Sequence, residues 1–260
     1  MSDTVDLPRV LVVGRISFRS AFQGLRTGAL AALSAISAVV VLALVLGGAG
    51  AAKSESAAQS LFLLLTLRVV IGLVVLIIAV AAFRSDIEQD TLTYLSSRSV
   101  TRAEIVFGKY LGAVGASLVF LVPAGIAPLV VAGLAGAPPP PTSVTAAILA
   151  IVLLATLAYA AFFLFLGLVT RNALLLGLIF LFLWEELVLL LPGDFPKLSL
   201  IYYFQSFANG EVATGQLAGS LTSVSPAADA LAALVVMAFF VGLTALVFRS
   251  VETAPQRASA

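Results

Sequence analysis

The sequence contains no cysteine and no histidine. Disulfides, thiol chemistry and imidazole ligation are therefore excluded, and with them most zinc, copper and iron sites. Carboxylates and the two methionines remain as metal ligands, but none are spaced for it. Charge is scarce as well: 14 basic and 13 acidic residues, 27 of 260, or 10%. A soluble domain carries about a quarter charged residues, and this shortfall is too large for a water-facing surface. The net charge of +1 lacks the basic clustering on which nucleic-acid affinity depends, so no nucleic-acid partner is expected. What is present is apolar: 61% of residues are hydrophobic and the mean hydropathy is +1.15. These values predict an all-α polytopic membrane protein.

Roughly 20 apolar residues cross a bilayer. On that measure six transmembrane helices are expected, at about 27–48, 61–82, 107–134, 144–168, 173–191 and 226–248. They form one transmembrane domain over 1–260. Two of them carry start signals. Thr101-Arg102-Ala103-Glu104 fits a capping box before the third span, and Ser225-Pro226 with Asp229 opens the sixth. Thr170-Arg171-Asn172 marks the tight turn between the fourth and fifth. Gly108, Gly112, Gly115 and Ala116 give the third span a small-residue face suited to close helix packing, and Pro123 and Pro128 are expected to kink it.

Residues 1–26 are expected to form a cytoplasmic tail and not a secretory signal, since the apolar run after them is too long for one. Within it, 8–26 reads as an interfacial amphipathic helix. Arg15, Arg19, Gln23 and Arg26 share one face, while Phe18, Phe22 and Leu25 on another are expected to sink into the acyl boundary. With this end inside, the inner segments hold eleven of the Lys and Arg residues and the outer ones two, Lys53 and Lys197. That bias predicts cytoplasmic N- and C-termini. The outer connections differ in kind. Pro138 to Pro141 stiffen 135–143, and the outer loop 192–225 carries the aromatics Tyr202, Tyr203, Phe204 and Phe207.

The chain's charge concentrates in Phe83 to Leu111, which holds Arg84, Asp86, Glu88, Asp90, Arg98, Arg102, Glu104 and Lys109. Residues 84–95 can form a short helix with Ile87, Thr91, Tyr94 and Leu95 on one side. Ser96 to Ser99 breaks it, and the capping box restarts a helix leading into the third span. The plain reading is a solvated cytoplasmic loop. The alternative is a surface that meets another molecule.

The order of residues here resembles the first cytoplasmic loop of ABC transporter permeases of the type-2, exporter-like class. The matching positions are Glu88, Asp90-Thr91-Leu92, Leu95, Ser99-Val100-Thr101-Arg102 and Gly108-Lys109-Tyr110-Leu111. Asp90 stands where the family has Gly, and Ser99 where it has Pro. The resemblance implies that 83–106 is a coupling loop, whose helix docks into a cytoplasmic ABC ATPase subunit. Glu88, Thr91, Leu92, Tyr94, Leu95 and Arg102 are its implied docking or bracing residues. It further implies a transmembrane subunit without catalytic residues, in the cell (plasma or inner) membrane, paired with a second permease copy as a homodimer. Export is the implied direction. No phosphate-loop motif G-x-x-x-x-G-K-[ST] occurs in the chain, so ATP and Mg belong to the partner and no cofactor is expected here.

Three charges fall inside the expected spans: Arg68 in the second, Glu185 and Glu186 in the fifth. Each costs about 2.5–3.5 kcal/mol at a bilayer centre even on lenient scales. Counted from the outer ends, Arg68 lies ~10 Å deep and the two carboxylates ~9 and ~8 Å deep at 1.5 Å per residue. The matched depths predict that Arg68 pairs with Glu185 or Glu186, within one subunit or across a dimer, as a structural ion pair or as part of a translocation path. The same three residues would serve a gradient-driven secondary transporter or channel. A non-transporting membrane anchor of an enzyme complex is the third alternative.

Overall fold

The computed structural model describes residues 7–22, 25–48, 50, 57–88, 101–211 and 226–251. Among them every regular element is helical. In chain order these are α1 (Leu7–Ala21), α2 (Leu25–Leu46), a π-helical stretch Phe62–Val70 leading into α3 (Ile71–Glu88), α4 (Arg102–Leu134) and α5 (Thr142–Val169). Next come α6 (Ala173–Ile179), a second π-helical stretch Phe180–Trp184, α7 (Glu185–Leu190), a short 3-10 turn Phe195–Leu198, α8 (Leu200–Glu211) and α9 (Pro226–Val251).

Among the described residues, five helices are long and apolar enough to cross a membrane: Arg26–Leu46, Ala57–Arg84, Ala103–Leu134, Thr142–Val169 and Ala227–Phe248. Runs of Leu, Ala, Val and Ile with few breakers account for them, because such residues neither interrupt the backbone ladder nor demand water. The expected fifth span, 173–191, is three consecutive short pieces of seven, five and six residues and is not among the five.

α5 is the axis of the bundle, in contact with α3, α4, α6, α8 and α9. Small residues on it let its neighbours close in. A methyl group on Gly167 would lie 3.2 Å from Val80 Cα of α3. Rings fill the wider gaps: Phe162 meets Phe240 edge-on at 5.0 Å and Tyr159 stacks on Phe163 at 5.7 Å. α2 and α9 are peripheral and far less buried.

α4 begins as its sequence predicts. Thr101 Oγ1 accepts from the Glu104 N–H at 3.4 Å, and Glu104 Oε2 accepts from the Thr101 N–H at 2.6 Å, which completes the capping box. The helix then runs 33 residues and contains Pro123 and Pro128 in its interior. At 1.5 Å per residue it is ~50 Å long, against about 30 Å of hydrocarbon.

The aromatic residues of α1 depart from the expectation that they sink into the acyl boundary. Val10 and Val13 are buried, Phe18 lies over Gly115, and Phe22 stacks on Phe120 at 5.4 Å. From Val10 beside Gly108 to Phe22 beside Phe120, α1 and α4 run in the same direction for three turns. Phe18 and Phe22 therefore pack on protein. The cause is the glycine face of α4, which allows backbone to meet backbone. A methyl group on Gly112 would sit 2.6 Å from the Gly14 carbonyl oxygen, and one on Gly108 would sit 2.8 Å from that of Val10. The residues of α1 left exposed are Leu11, Val12 and Ile16, with Pro8, Arg9, Arg15, Arg19 and Ser20.

Candidate functional site

The end of the bundle that carries the 191–199 connection holds a cluster of polar side chains inside otherwise apolar surroundings. Both π-helical stretches lead into it. Arg68 lies within the first, and Glu185 comes directly after the second. A π turn inserts an extra residue per turn and so rotates the helix beyond it, a device frequent at functional sites. Thr66, in the same first stretch, donates to Ser37 Oγ of α2 at 3.0 Å and fixes the stretch against its neighbour.

Glu186 Oε2 lies 3.2 Å from Arg68 Nη1, and both side chains keep partial exposure, 40% and 28%. Arg68 has a second partner on α8. With the Gln205 amide set so that its oxygen faces the guanidinium, that oxygen accepts from Nε at 2.6 Å and from Nη2 at 3.1 Å. The guanidinium thus bridges α7 and α8 through its planar fork of donors.

Glu185 has a different task. It is fully buried and turned away from Arg68 toward the start of α8. Its Oε2 accepts from the Ser199 hydroxyl and from the Ile201 N–H at 3.2 Å, and the Leu200 N–H also points to the carboxylate. Tyr159 OH of α5 lies 3.5 Å from Oε1. The first N–H groups of any helix have no partner within it, and the helix dipole favours a negative charge there. Glu185 is thus the N-terminal cap of α8, supplied from another helix. Adjacent positions on a helix point about 100° apart, which is why two neighbouring carboxylates serve two different partners.

A third acidic group joins from α9. Asp229 is 3% exposed and faces the fully buried Ser206 of α8, their polar atoms close enough to interact but short of a well-formed hydrogen bond. In the connection itself, by contrast, Asp194 and Lys197 are exposed and pair with each other at 2.5 Å. The ammonium holds Asp194 below the usual carboxylate range, and the carboxylate raises Lys197.

The other sequence-derived site is described only at its margins. Thr91, Leu92, Tyr94 and Leu95 lie outside the described residues, and of Glu88 and Arg102 only the helical backbone is described. Next to that connection sit two charges that the sequence pattern places on a solvated loop and the structure buries. Glu104 is fully buried in the capping box, and Lys109 is 2% exposed. Lys109 Nζ donates to the Ala82 carbonyl of α3 and lies 4.8 Å from the centre of the Phe83 ring. That ring in turn meets Phe248 of α9 at 5.8 Å. One buried ammonium therefore ties α3 to α4 where both leave the bundle. Gln205, Ser199 and Tyr159 are invisible to charge counting, since neutral donors stand out only once a charge is seen to need them. No protein-family model matches the chain, and no curated protein is found to be similar to it.

Proposed function

We propose that the chain is the permease subunit of an ATP-binding-cassette transporter. It sits in the cell membrane with the 89–101 connection and both termini in the cytoplasm, and moves its substrate outward on ATP hydrolysed by a separate subunit. The observation that carries this reading is the continuity of helix on both sides of that connection. α3 runs unbroken to Glu88, and α4 starts at Arg102, capped by Thr101, and continues for 33 residues. A push on the connection is passed along two rigid rods into the bundle, because a hydrogen-bonded helix is stiff along its axis where a loop absorbs the displacement. Lys109 pins the two rods together at their base.

In this reading 173–191 is the fifth of six spans, entering as α6, the π stretch and α7. It leaves Leu175, Ile179, Phe182, Leu183 and Leu187 exposed, an apolar face available to lipid or to a second copy of the chain. The carrier alternative draws less support. A gradient-driven site needs a carboxylate whose ligands can be exchanged, whereas Glu185 is occupied by α8 and Glu186 by Arg68.

The test is a mild-detergent pull-down of tagged protein from its native host, wild type against a Glu88→Ala/Tyr94→Ala variant. Recovery of a phosphate-loop ATPase with the wild type, and its loss with the variant, is the expected result. If gentle conditions recover the intact permease with no ATPase, the reading fails.

A further inference from the structure

We infer that the π turn between α6 and α7 is a register switch that decides whether α8 is held. One hydrogen bond defines the turn. The Glu185 N–H donates to the Phe180 carbonyl, five residues back, where an α-helix bonds four back. The turn therefore carries one residue more than an α turn. If that residue passes out toward 191, everything beyond the turn rotates by one position, about 100°. Glu185 then takes the place that Glu186 holds opposite Arg68, and Trp184 takes the place of Glu185 under α8.

The doubled carboxylate makes this exchange selective. Arg68 faces a glutamate in both registers, whereas α8 is capped in only one. Trp184 brings a donor and no acceptor, so the Ser199 hydroxyl and the Ile201 N–H lose their partner. Further along, Leu187 takes the buried place of Val188, and Glu186 moves to the outward place of Leu187. The packing confines the rotation to α7. Before the turn, Gly177 receives the Leu76 side chain and Gly72 receives that of Leu181, so α6 is interlocked with α3. Beyond the turn, α7 has only six residues and ends at the extended Leu191. The 191–199 connection, with Gly193 at φ +82°, can take up the extra residue. The inference concerns the packing of a single chain and is independent of any ATPase.

The chain has no cysteine, so Ser206→Cys, fully buried on α8, is a single reporter of its release. In monodisperse protein in detergent, N-ethylmaleimide reaches that thiol only when α8 lifts, and the labelling rate follows the released fraction. Deleting Leu183, an exposed residue of the turn, removes the extra residue. The bond from the Glu185 N–H to the Phe180 carbonyl then spans four residues, and both glutamates keep their present partners on an unbroken α-helix. The expected result is labelling slowed by about tenfold or more, with the fold retained. Ser199→Ala removes one donor to Glu185. It should speed labelling several-fold in the undeleted chain and leave the deletion variant unchanged. Equal labelling with and without Leu183 would overturn the inference, because α8 would then open independently of the turn. So would an equal acceleration by Ser199→Ala in both backgrounds. If neither the Leu183 deletion nor a deletion of Phe182 gives monodisperse protein, an unbroken helix does not fit the bundle, and the inference again fails.

Discussion

The two ends of the bundle are held together by opposite means. At the 89–101 end, the α1–α4 seam is a matter of shape. Gly108 and Gly112 present bare backbone to Gly14 and Val10, and attraction comes from many small dispersion contacts at close range. At the 191–199 end, α8 is held by a few polar bonds from Glu185, Arg68 and their partners. A seam of shape fails when something is added to it. A polar latch fails when something is taken away. The two ends should therefore respond in opposite ways to substitution, and that contrast can be measured.

The largest effect is expected at Glu185. Glu185→Ala removes the acceptor of the Ser199 hydroxyl and the Ile201 N–H in a fully buried site. Leaving such donors unpaired costs about 1–3 kcal/mol each, so a loss of roughly 3–5 kcal/mol is expected. It should appear as a large drop in the thermal midpoint of monodisperse protein in detergent. Glu186→Ala, one position along, is expected to lose only ~1 kcal/mol or less, because that pair is partly solvated and Arg68 keeps Gln205. Equal losses at the two positions would break the division of labour.

At the other end the sign reverses with size. Gly112→Val forces Cβ against the Gly14 carbonyl oxygen at 2.6 Å, backbone that has nowhere to go, and overpacking of this kind costs about 1–3 kcal/mol. Gly115, three residues on, is the control. A methyl group there meets the Phe18 ring at 3.5 Å, an ordinary contact, so Gly115→Ala should stabilise by up to ~1 kcal/mol through helix propensity alone. Opposite shifts in thermal midpoint for the two variants would locate the seam at Gly112. Shifts of the same sign would mean that α1 does not sit where the glycines receive it.

How much of this is legible in the sequence depends on whether one element or two decide it. The long helices come from apolar runs, and the start of α4 comes from Thr101 and Glu104, because each signal is local. Depth counting puts Arg68 level with two carboxylates. It cannot say which one pairs, because that choice is made by α8, a helix whose docking no local pattern announces. The face of α1 is ambiguous for the same reason. Phe18 and Phe22 form an apolar stripe that suits lipid or protein equally, and the glycine face of α4 decides between them. Lys109 reads as a surface charge until α3 brings the Ala82 carbonyl beside it. The π-helical stretches have no composition of their own that marks them.

Asp229 offers the finest test of the polar end. Its carboxylate and the Ser206 hydroxyl are buried side by side short of a well-formed hydrogen bond, so this corner of the latch is weaker than the one at Glu185. Replacing Asp229 by Asn keeps the shape, removes a formal charge from an apolar setting, and supplies an amide N–H able to donate to Ser206 Oγ. If the corner contributes nothing to holding α8, the change should be neutral or stabilising by up to ~1 kcal/mol, the reverse of Glu185→Ala only a helix away. The check is the thermal midpoint of Asp229→Asn beside Asp229→Ala, the second variant reporting the loss of packing without the new donor. A drop of several degrees in both would show that the carboxylate itself is needed, and would place Asp229 with Glu185 among the groups that hold α8 down.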